Sequence, residues 1–428
     1  MAELLVLGGG PAGVAAARTA AGMGTRVSLV ERAALGGVCV HAGCIPAGAF
    51  YRTVEVLDQV SHAGTAGVVA HEARVDWPRM QGWVGSVVRR AASITRASLE
   101  AAGVQFLAGS ARFTAPDRVE AAGRVFEGVP VVVATGAASY LPAAAEGSSC
   151  PALTNDEAMA LDRAPSRLLV AGAGRFSLEW ADFFAHLGSQ VIVVAPGERI
   201  LPDEDADLAG YLQLLLEERG IDFRLGSPNL DGIEADAVLF ADSRRPNLSG
   251  LEAATLELGP EGGVLIDAGG RTSVPQVFAA GDATGAPWLS NRARAQGIAA
   301  ATNALGGSAK VRGERLPRSV NTHPELAAVG LSEEQARARG IEPAIGFGEL
   351  ATSLRAITLG EDKGALKLIV DPEFGEIVGA HMVGAGATEV IAQVVAAMEL
   401  EADYRDLARV HHLHPSLAEL VTDAVAAI

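Results

Sequence analysis

The sequence is short of cysteine, of positive charge and of long apolar runs. Only 3 cysteines occur among 428 residues, too few for the disulfide framework of a secreted protein, so we expect a reducing, cytoplasmic compartment. Lys and Arg number 34 against 51 Asp and Glu, a net charge of −17. This balance excludes nucleic acids and anionic membranes as the main partners. No run of about 18 apolar residues, the length of a membrane span, occurs.

The remaining composition is typical of a large folded protein. Hydrophobic residues make up 49% of the chain and charged residues 20%, which excludes a disordered protein. The 50 glycines follow no three-residue period, which excludes collagen. At about 150 residues per domain, the length predicts roughly three domains.

The N-terminal segment has the pattern of a dinucleotide-binding unit. A predicted strand at Leu4–Leu7 precedes a helix, and a second strand ends at Glu31. Between the first strand and the helix, Gly8 permits a tight turn, Gly10 lets backbone N–H groups approach a pyrophosphate, and Gly13 lets the helix pack closely. Glu31 can accept hydrogen bonds from a ribose. The pattern therefore predicts cofactor binding, with a simple tight turn as the alternative.

A second copy of this pattern begins at the predicted strand Arg167–Val170. Gly172 and Gly174 follow it, but Ser177 replaces the third glycine and Ala195 stands where an acid is expected. A small serine still permits close packing of helix and strand. Two such units predict that the protein binds two dinucleotides. The alternative for the second unit is a retained Rossmann-like half that no longer binds a nucleotide well.

Two further apolar strands end in residues suited to a ligand. Val131–Val133 leads into Thr135 and Gly136, and another strand leads into Asp282, whose carboxylate suits a ligand hydroxyl at a strand's carboxyl end. From about Arg312 onward the pattern changes to strands followed by helices, which is typical of an α+β module.

Cys39 and Cys44 form a close pair, whereas Cys150 is distant in sequence. Four intervening residues can place both sulfurs on one side of a helix and within disulfide reach. Zinc would need two more soft ligands, and no second cysteine pair exists, so no metal site is predicted. Two interpretations stay open: a redox-cycling disulfide beside a bound cofactor, and two unpaired core cysteines.

In their order along the chain, these motifs resemble those of the flavin-dependent pyridine nucleotide–disulfide oxidoreductases, and most closely the dihydrolipoamide dehydrogenases among them. The resemblance covers the chain from end to end and favours the redox disulfide. The matching segments are the opening glycine turn, GGVCVHAGCIP, ATG, GAGRFSLEWA, RRPN, TSVPQVFAAGDATG, THPELAAVGLSEEQA and HLHPSLAE.

The resemblance implies an α/β fold of two Rossmann-like dinucleotide-binding domains plus a C-terminal α+β dimerisation domain. The expected domains are an FAD-binding domain, residues 1–145 completed by 265–311, a trimmed NAD(P)-binding domain, residues 146–264, and a dimerisation domain, residues 312–428. The implied FAD contacts are Gly8, Gly10, Gly13, Glu31, Gly37, Thr135, Gly136 and Asp282, and the implied nicotinamide nucleotide contacts are Gly172, Gly174, Arg175 and Glu179.

The catalytic residues implied by the resemblance are Cys44 as the thiol beside the flavin and Cys39 as the thiol that attacks the substrate. His414 resembles the general base, supplied by the partner subunit, and Glu419 orients it. Because a free thiol is mostly protonated at pH 7, an imidazole that shuttles the proton is chemically reasonable. Without the resemblance, the histidine-rich segment could equally be a metal tract or a polar loop.

Several positions depart from the family pattern. Gly48 replaces a lysine that pairs with the glutamate matched by Glu179, and we hypothesise that Arg175, four residues before Glu179, supplies the missing charge. A solvated arginine is the alternative. Ala195 provides neither acid nor cation, so only the overall resemblance favours NAD(H) over NADP(H). The short segment Leu225–Asp236 predicts a trimmed domain.

The predicted protein is thus a homodimeric FAD enzyme that passes electrons between a nicotinamide nucleotide and a dithiol or disulfide. Its expected partners are a lipoyl-carrying protein or a small dithiol, with dihydrolipoyl groups as the leading substrate. The alternatives are a reductase of another low-molecular-weight disulfide, and a flavoprotein with impaired nicotinamide reactivity that serves a binding or regulatory role.

Overall fold

The computed structural model describes residues 3–70, 73–146, 148, 150–227, 229–230 and 232–428. These residues form two compact units. The first unit comprises residues 3–50, 76–140 and 243–313, and the second comprises the described residues of 51–75, 141–242 and 314–428.

Strands and helices are distributed along the whole of the described chain. The strands are β1 (Glu3–Leu7), β2 (Arg26–Glu31), β3 (Gln105–Ala108), β4 (Ala111–Ala115), β5 (Arg118–Ala121), β6 (Arg124–Glu127), β7 (Val131–Val133), β8 (Ala137–Ser139), β9 (Ala152–Thr154), β10 (Arg167–Ala171), β11 (Gln190–Val194), β12 (Asp222–Arg224), β13 (Ala237–Phe240), β14 (Arg244–Pro246), β15 (Val277–Ala279), β16 (Arg318–Val320), β17 (Leu326–Gly330), β18 (Ala344–Glu349), β19 (Ala365–Asp371) and β20 (Glu376–Val383). The helices are α1 (Pro11–Gly22), α2 (Gly37–His41), α3 (Cys44–Ser61), α4 (Trp77–Ala101), α5 (Asn155–Met159), α6 (Arg175–His186), α7 (Ala206–Glu218), α8 (Ser290–Ala304), α9 (Glu333–Ala338), α10 (Leu354–Leu359), α11 (Ala387–Glu399), α12 (Tyr404–Leu407) and α13 (Glu419–Ala426).

The first unit is built on a parallel sheet with the order β15-β7-β1-β2-β3. Its central strand is apolar on both faces, and Leu4, Leu5 and Val6 are fully buried, as parallel strands covered on both sides are. One hydrophobic core joins β1 to α1 and α8. Two smaller antiparallel sheets, β4-β5-β6 and β14-β8, belong to the same unit.

The second unit contains a second parallel sheet with the order β12-β11-β10-β13-β9. Strand, glycine turn, helix and strand follow one another in β10, α6 and β11 as they do in β1, α1 and β2. In the described part of the segment Leu225–Asp236, which the sequence predicts to be trimmed, no strand occurs. Pro228 and Asp231 of that segment lie outside the described residues.

The same unit also holds the antiparallel sheet β16-β17-β20-β19-β18. Helices α11 and α13 bury their apolar residues against it in one core. The predicted fold class is therefore confirmed: two Rossmann-like parallel sheets with their helices, and a C-terminal α+β module. Among the helices in the described ranges, none combines the length and the apolar character needed to span a bilayer.

A buried cluster of charges links the parallel-sheet part of the second unit to its antiparallel sheet. The side chain of Lys367 in β19 is 1% exposed, and its Nζ lies 3.1 Å from Asp205 Oδ1, 2.7 Å from Asp207 Oδ2 and 2.6 Å from Glu333 Oε2. Burial acts to lower the pKa of Lys367, but the carboxylates outweigh it and raise that pKa. The buried ammonium is thus kept charged by its three partners.

We expect Lys367→Met to lower the free energy of unfolding by about 3 kcal/mol, because it leaves buried carboxylates without their cation. Urea denaturation of the purified protein measures this. Lys363→Met is the matched control, since the Lys363–Glu218 pair is exposed and its loss should leave the midpoint unchanged. Equal effects of the two substitutions would contradict a structural role for the buried cluster.

Candidate active site

The residues of the first glycine motif lie at the carboxyl edge of the first parallel sheet. Leu7 lies opposite Val30 of β2 and Val133 of β7. The turn after β1, Glu31 and the segment containing Thr135 therefore begin at the same edge. Since β1 has β2 on one side and β7 on the other, this edge is a topological switch point, where dinucleotides bind.

Close backbone approach explains two glycines of the motif. A Cβ added at Gly8, where φ is 110°, would lie 2.2 Å from the Ala134 carbonyl oxygen, and one at Gly13 would lie 1.9 Å from the Gly8 oxygen. At Gly10, by contrast, a Cβ would meet only Gly37 Cα, at 3.8 Å. Gly10 provides no side-chain cap for α1, so the start of the helix leaves room for an anionic group at its N–H groups.

Polar groups around this edge are placed to meet a ligand. Glu31 accepts hydrogen bonds from Gly9 N and Ala33 N, each at 2.7 Å. Asn247 Nδ2 donates to the Thr135 carbonyl oxygen at 3.3 Å. Thr135 Oγ1 is buried with no hydrogen-bond partner among the described residues, and such a hydroxyl is costly unless a ligand meets it. These groups fit the pyrophosphate and hydroxyls of a dinucleotide.

The other predicted contacts of the first cofactor lie near the same edge. Gly37 begins α2 and approaches Gly10 so closely that a Cβ on Gly37 would lie 2.8 Å from Gly10 Cα. Gly136 accepts a hydrogen bond from Asn247 N at 2.8 Å. Asp282 follows β15, which pairs with β7.

The two cysteines lie on either side of a break between helices. Cys39 is in α2, and Cys44 is the first residue of α3. The expectation that one helix carries both is wrong. Ala42 N still donates to the Val38 oxygen at 2.8 Å, but the φ of Ala42 is −148°, which is not helical, so α2 ends there. Gly43 then passes so near that its Cβ would lie 3.1 Å from the same oxygen. The turn nevertheless keeps the two thiols within hydrogen-bonding reach of each other.

The surroundings of the two sulfurs differ. Cys44 is exposed and its Sγ lies 3.1 Å from Ser290 Oγ. A hydrogen bond with Cys44, burial and the nearby charge of Asp282 raise the pKa of the Cys39 thiol far above its ordinary value, against an opposing hydrogen bond with Ser290. The surroundings of Cys39 therefore favour its protonated form. Sequence reasoning missed Ser290, which no motif marks.

The second unit carries the predicted histidine–glutamate pair. His414 Nδ1 lies 3.0 Å from Glu419 Oε1, and Glu419 Oε2 accepts a hydrogen bond from Ser416 N at 2.9 Å. Hydrogen bonds from His414 and Ser416 lower the pKa of Glu419. The carboxylate can thus hold the proton on Nδ1, which makes Nε2 the nitrogen that accepts or donates a proton. The His414 side chain is 64% exposed, so a group outside this chain can reach it.

The carboxyl edge of the second parallel sheet has the same strand arrangement as that of the first, but it also carries Asp242. Ala171 lies opposite Val194, and Val170 lies opposite Leu239, so Gly172 begins the turn at a second switch point. Asp242, two residues past β13, is placed at this edge as well. The register explains why Asp242 meets the second glycine motif.

The carboxylate of Asp242 accepts hydrogen bonds from Gly174 N and Phe176 N, each at 3.1 Å. These backbone groups, at the start of α6, are those to which the glycine motif would direct a pyrophosphate. The arrangement does not fit a pyridine nucleotide while Asp242 lies there. Sequence reasoning missed Asp242, although it follows an apolar strand as Asp282 does.

Glu179 is buried in the second unit and has partners other than the one predicted for it. Its Oε1 accepts hydrogen bonds from Asn321 N at 2.9 Å and Asn321 Nδ2 at 3.0 Å. The Tyr51 hydroxyl donates to the Glu179 carbonyl oxygen. The Arg175 guanidinium lies 4.7 Å from the centre of the Phe176 ring. Charge compensation of Glu179 by Arg175 stays a prediction.

Known proteins resemble this chain over its whole length. It is 33% identical to dihydrolipoyl dehydrogenase of Bacillus subtilis, with 99% of this chain and 97% of that protein covered. It is 34% identical to dihydrolipoyl dehydrogenase 2 of Haloarcula marismortui, with coverage of 99% and 96%. Among solved structures, LpdA from Mycobacterium tuberculosis matches with a TM-score of 0.92 and 28% identity, covering 100% of this chain and 99% of that one. The HOCl-induced flavoprotein disulfide reductase RclA from Escherichia coli matches with a TM-score of 0.85 and 25% identity, covering 100% of each chain.

Family comparison gives the same result for both parts of the chain. Residues 2–305 match the family described as pyridine nucleotide-disulphide oxidoreductase, and residues 316–425 match the dimerisation domain of that family. The C-terminal α+β module is thus a dimerisation domain. Enzymes of this family depend on FAD and bind NAD(P). The chain is a flavoprotein disulfide oxidoreductase and belongs to the pyridine nucleotide-disulphide oxidoreductase family.

Proposed function

We propose that the enzyme passes two electrons between a nicotinamide nucleotide and a dithiol or disulfide substrate, most favourably dihydrolipoyl groups, through a redox-active Cys39–Cys44 disulfide. The observation that carries the proposal is the thiol pair itself. The two sulfurs lie within hydrogen-bonding reach of each other, in the two helices that follow the first dinucleotide edge. The naming of relatives as dihydrolipoyl dehydrogenases supports the substrate class.

FAD is the proposed cofactor of the domain formed by residues 1–145 and 265–311, and when bound it would supply a two-electron carrier. The start of α1 has room for the pyrophosphate at its N–H groups. Glu31 and Thr135 offer a carboxylate and a buried hydroxyl to the rest of the dinucleotide. The proposed FAD residues are Gly8, Gly10, Gly13, Glu31, Gly37, Thr135, Gly136 and Asp282.

The thiol chemistry follows from the difference between the two sulfurs. When a dithiol substrate is oxidised, one substrate sulfur attacks the Cys39–Cys44 disulfide at Cys39, and the second substrate sulfur then displaces Cys39 as the substrate disulfide forms. Cys39 leaves as a thiol because its pKa is raised, so a base must remove protons from the substrate and an acid must protonate Cys39. Cys44 is left as the thiolate. The two electrons of the substrate thereby reside on the cysteine pair.

His414 of the partner subunit is the proposed acid–base group, with Glu419 of the same subunit as its positioning residue. The exposure of the His414 side chain and the match of residues 316–425 to a dimerisation domain support a homodimer with a shared site. The proposed protein partner carries lipoyl groups, and a small dithiol or disulfide is the other substrate class. The low cysteine content suits a reducing cytoplasm.

For the second dinucleotide domain, residues 146–264, we propose NAD(H) over NADP(H), with contacts from Gly172, Gly174, Arg175 and Glu179. Ala195 is buried and brings neither an acid for a ribose nor a cation for a phosphate, so the preference rests on the dihydrolipoyl dehydrogenase relatives. The Asp242 carboxylate at this motif favours a second candidate function, a flavoprotein with impaired nicotinamide reactivity.

Air-oxidised protein should contain a Cys39–Cys44 disulfide and a free Cys150 thiol, because the thiols of Cys39 and Cys44 lie within reach of each other. Peptide mapping under non-reducing conditions, with mass spectrometry, measures the pairing. Cys150→Ser should leave the disulfide intact. Two free thiols at Cys39 and Cys44 after full oxidation would contradict the proposal.

Anaerobic titration with dihydrolipoamide tests the reaction as a whole. The wild-type flavin spectrum should change and a long-wavelength thiolate–flavin band should appear, since the reduced pair places its charge on Cys44. Cys39→Ser should abolish the change, because the substrate dithiol then meets no disulfide. Protein without flavin after reconstitution, or an unchanged wild-type spectrum, would overturn the proposed function.

His414→Gln should slow the oxidation of dihydrolipoamide by about a hundredfold to ten-thousandfold, the range that a general acid–base group contributes. Flavin content, measured by absorbance, should stay at the wild-type level. His411→Gln changes a neighbouring histidine without an assigned role and should leave the rate unchanged. A parallel loss of rate and flavin in His414→Gln would point to a structural role instead.

A further inference from the structure

The second glycine motif is covered by a side chain of the same chain. Besides Gly174 N and Phe176 N, the Asp242 carboxylate accepts a hydrogen bond from Ser177 N at 3.4 Å. Three N–H groups at the start of α6 thus converge on one carboxylate. A helix N-terminus with converging N–H groups is an anion site, and here the anion is built into the protein.

The Asp242 carboxylate also occupies the space in front of the second glycine motif. A Cβ added at Gly174 would lie 2.7 Å from Asp242 Oδ2 and 2.9 Å from Oδ1, and one at Gly172 would lie 3.0 Å from Oδ2. The corresponding Cβ at Gly10 in the first motif would meet only Gly37 Cα, at 3.8 Å. The two motifs share a fold and differ in what lies against the glycines.

The backbone that carries Asp242 is held firmly. Val238, Leu239 and Ala241 are each 0% exposed, and Leu239 pairs with Val170 in the strand that leads into the glycine turn. A pyrophosphate must therefore displace the Asp242 side chain rather than the strand. It must also approach a fixed negative charge that has already neutralised the helix N-terminus.

We propose that Asp242 is a specificity-determining residue that competes with the pyrophosphate of pyridine nucleotides for the start of α6. The inference rests on the proposed function for the identity of the second nucleotide. NAD(H) and NADP(H) bind only in the fraction of molecules in which Asp242 has left the motif, so their apparent affinity is reduced by that fraction. The flavin is therefore reduced more readily from a dithiol than from a nicotinamide nucleotide.

The test is calorimetric titration of the purified, flavin-containing protein with ADP-ribose and with NAD⁺. ADP-ribose carries the pyrophosphate but no nicotinamide, so its binding requires no redox reaction. We expect Asp242→Ser to tighten the binding of both by about tenfold or more, and Asp242→Asn to tighten it less, because Asn loses the charge but keeps an oxygen near the N–H groups. Reduction of the flavin by NADH should accelerate in the same order.

Asp236→Asn is the matched control for the change in net charge. Asp236 Oδ2 accepts a hydrogen bond from Arg167 N at 2.9 Å, at the opposite end of β10 from the glycine turn. Its substitution should leave the affinity for ADP-ribose unchanged. If Asp242 were only a helix cap, Asp242→Ser would lower the melting temperature without tightening either ligand, and this outcome would overturn the proposal.

Asp242→Asn decides the question if Asp242→Ser does not fold, because an asparagine can still cap α6. Affinities of Asp242→Asn within about twofold of wild type would overturn the proposal. Flavin content and the response to dihydrolipoamide, recorded on the same preparations, report separately on the proposed function. A wild-type protein that lacks both, while Asp242→Asn binds ADP-ribose more tightly, would refute the proposed function and retain the role of Asp242.

Discussion

Backbone N–H groups at the first turn of a helix attract negative charge, and both parallel sheets of this enzyme place such a helix directly after their central strand. The start of α1 is open at Gly10, whereas the start of α6 is covered by the carboxylate of Asp242. The same attraction of a helix N-terminus for negative charge thus has two outcomes in this fold. The first motif can bind the pyrophosphate of a ligand, whereas the N–H groups of the second motif are bound by the carboxylate of Asp242.

The proposed redox chemistry depends on a comparable asymmetry between two neighbouring sulfurs. A helix break at Ala42 and Gly43 separates Cys39 in α2 from Cys44 in α3, and a hydrogen bond with Cys44 together with burial raises the pKa of the Cys39 thiol. The proposed acid–base group, His414, is far away in sequence, and its Nδ1 lies 3.0 Å from Glu419 Oε1. In the proposed function, Cys39 and Cys44 of one subunit act with His414 of the other, which is why a homodimer belongs to the proposal.

Much of the fold follows from local patterns in the sequence. Apolar strands that end in glycine turns predict β1 and β10 with their helices, and the shift to strands followed by helices predicts the α+β module, because hydrophobic periodicity and turn residues act over short distances. The cysteine spacing predicts contact between the two sulfurs but not its geometry. The break between α2 and α3 depends on the approach of Gly43 to the Val38 oxygen, a packing detail that spacing does not encode.

The sequence alone determined the fold class, both glycine motifs and the closeness of the two cysteines, since each rests on local patterns, whereas the roles of the cysteines and of His414 and Glu419 were implied by the family resemblance. Only the tertiary structure decided what covers each motif. Asp242 and Gly174 are 68 positions apart and meet because β13 pairs with β10 in register. Strand pairing is a long-range choice, and it brings a carboxylate to a helix N-terminus that local sequence would assign to a ligand.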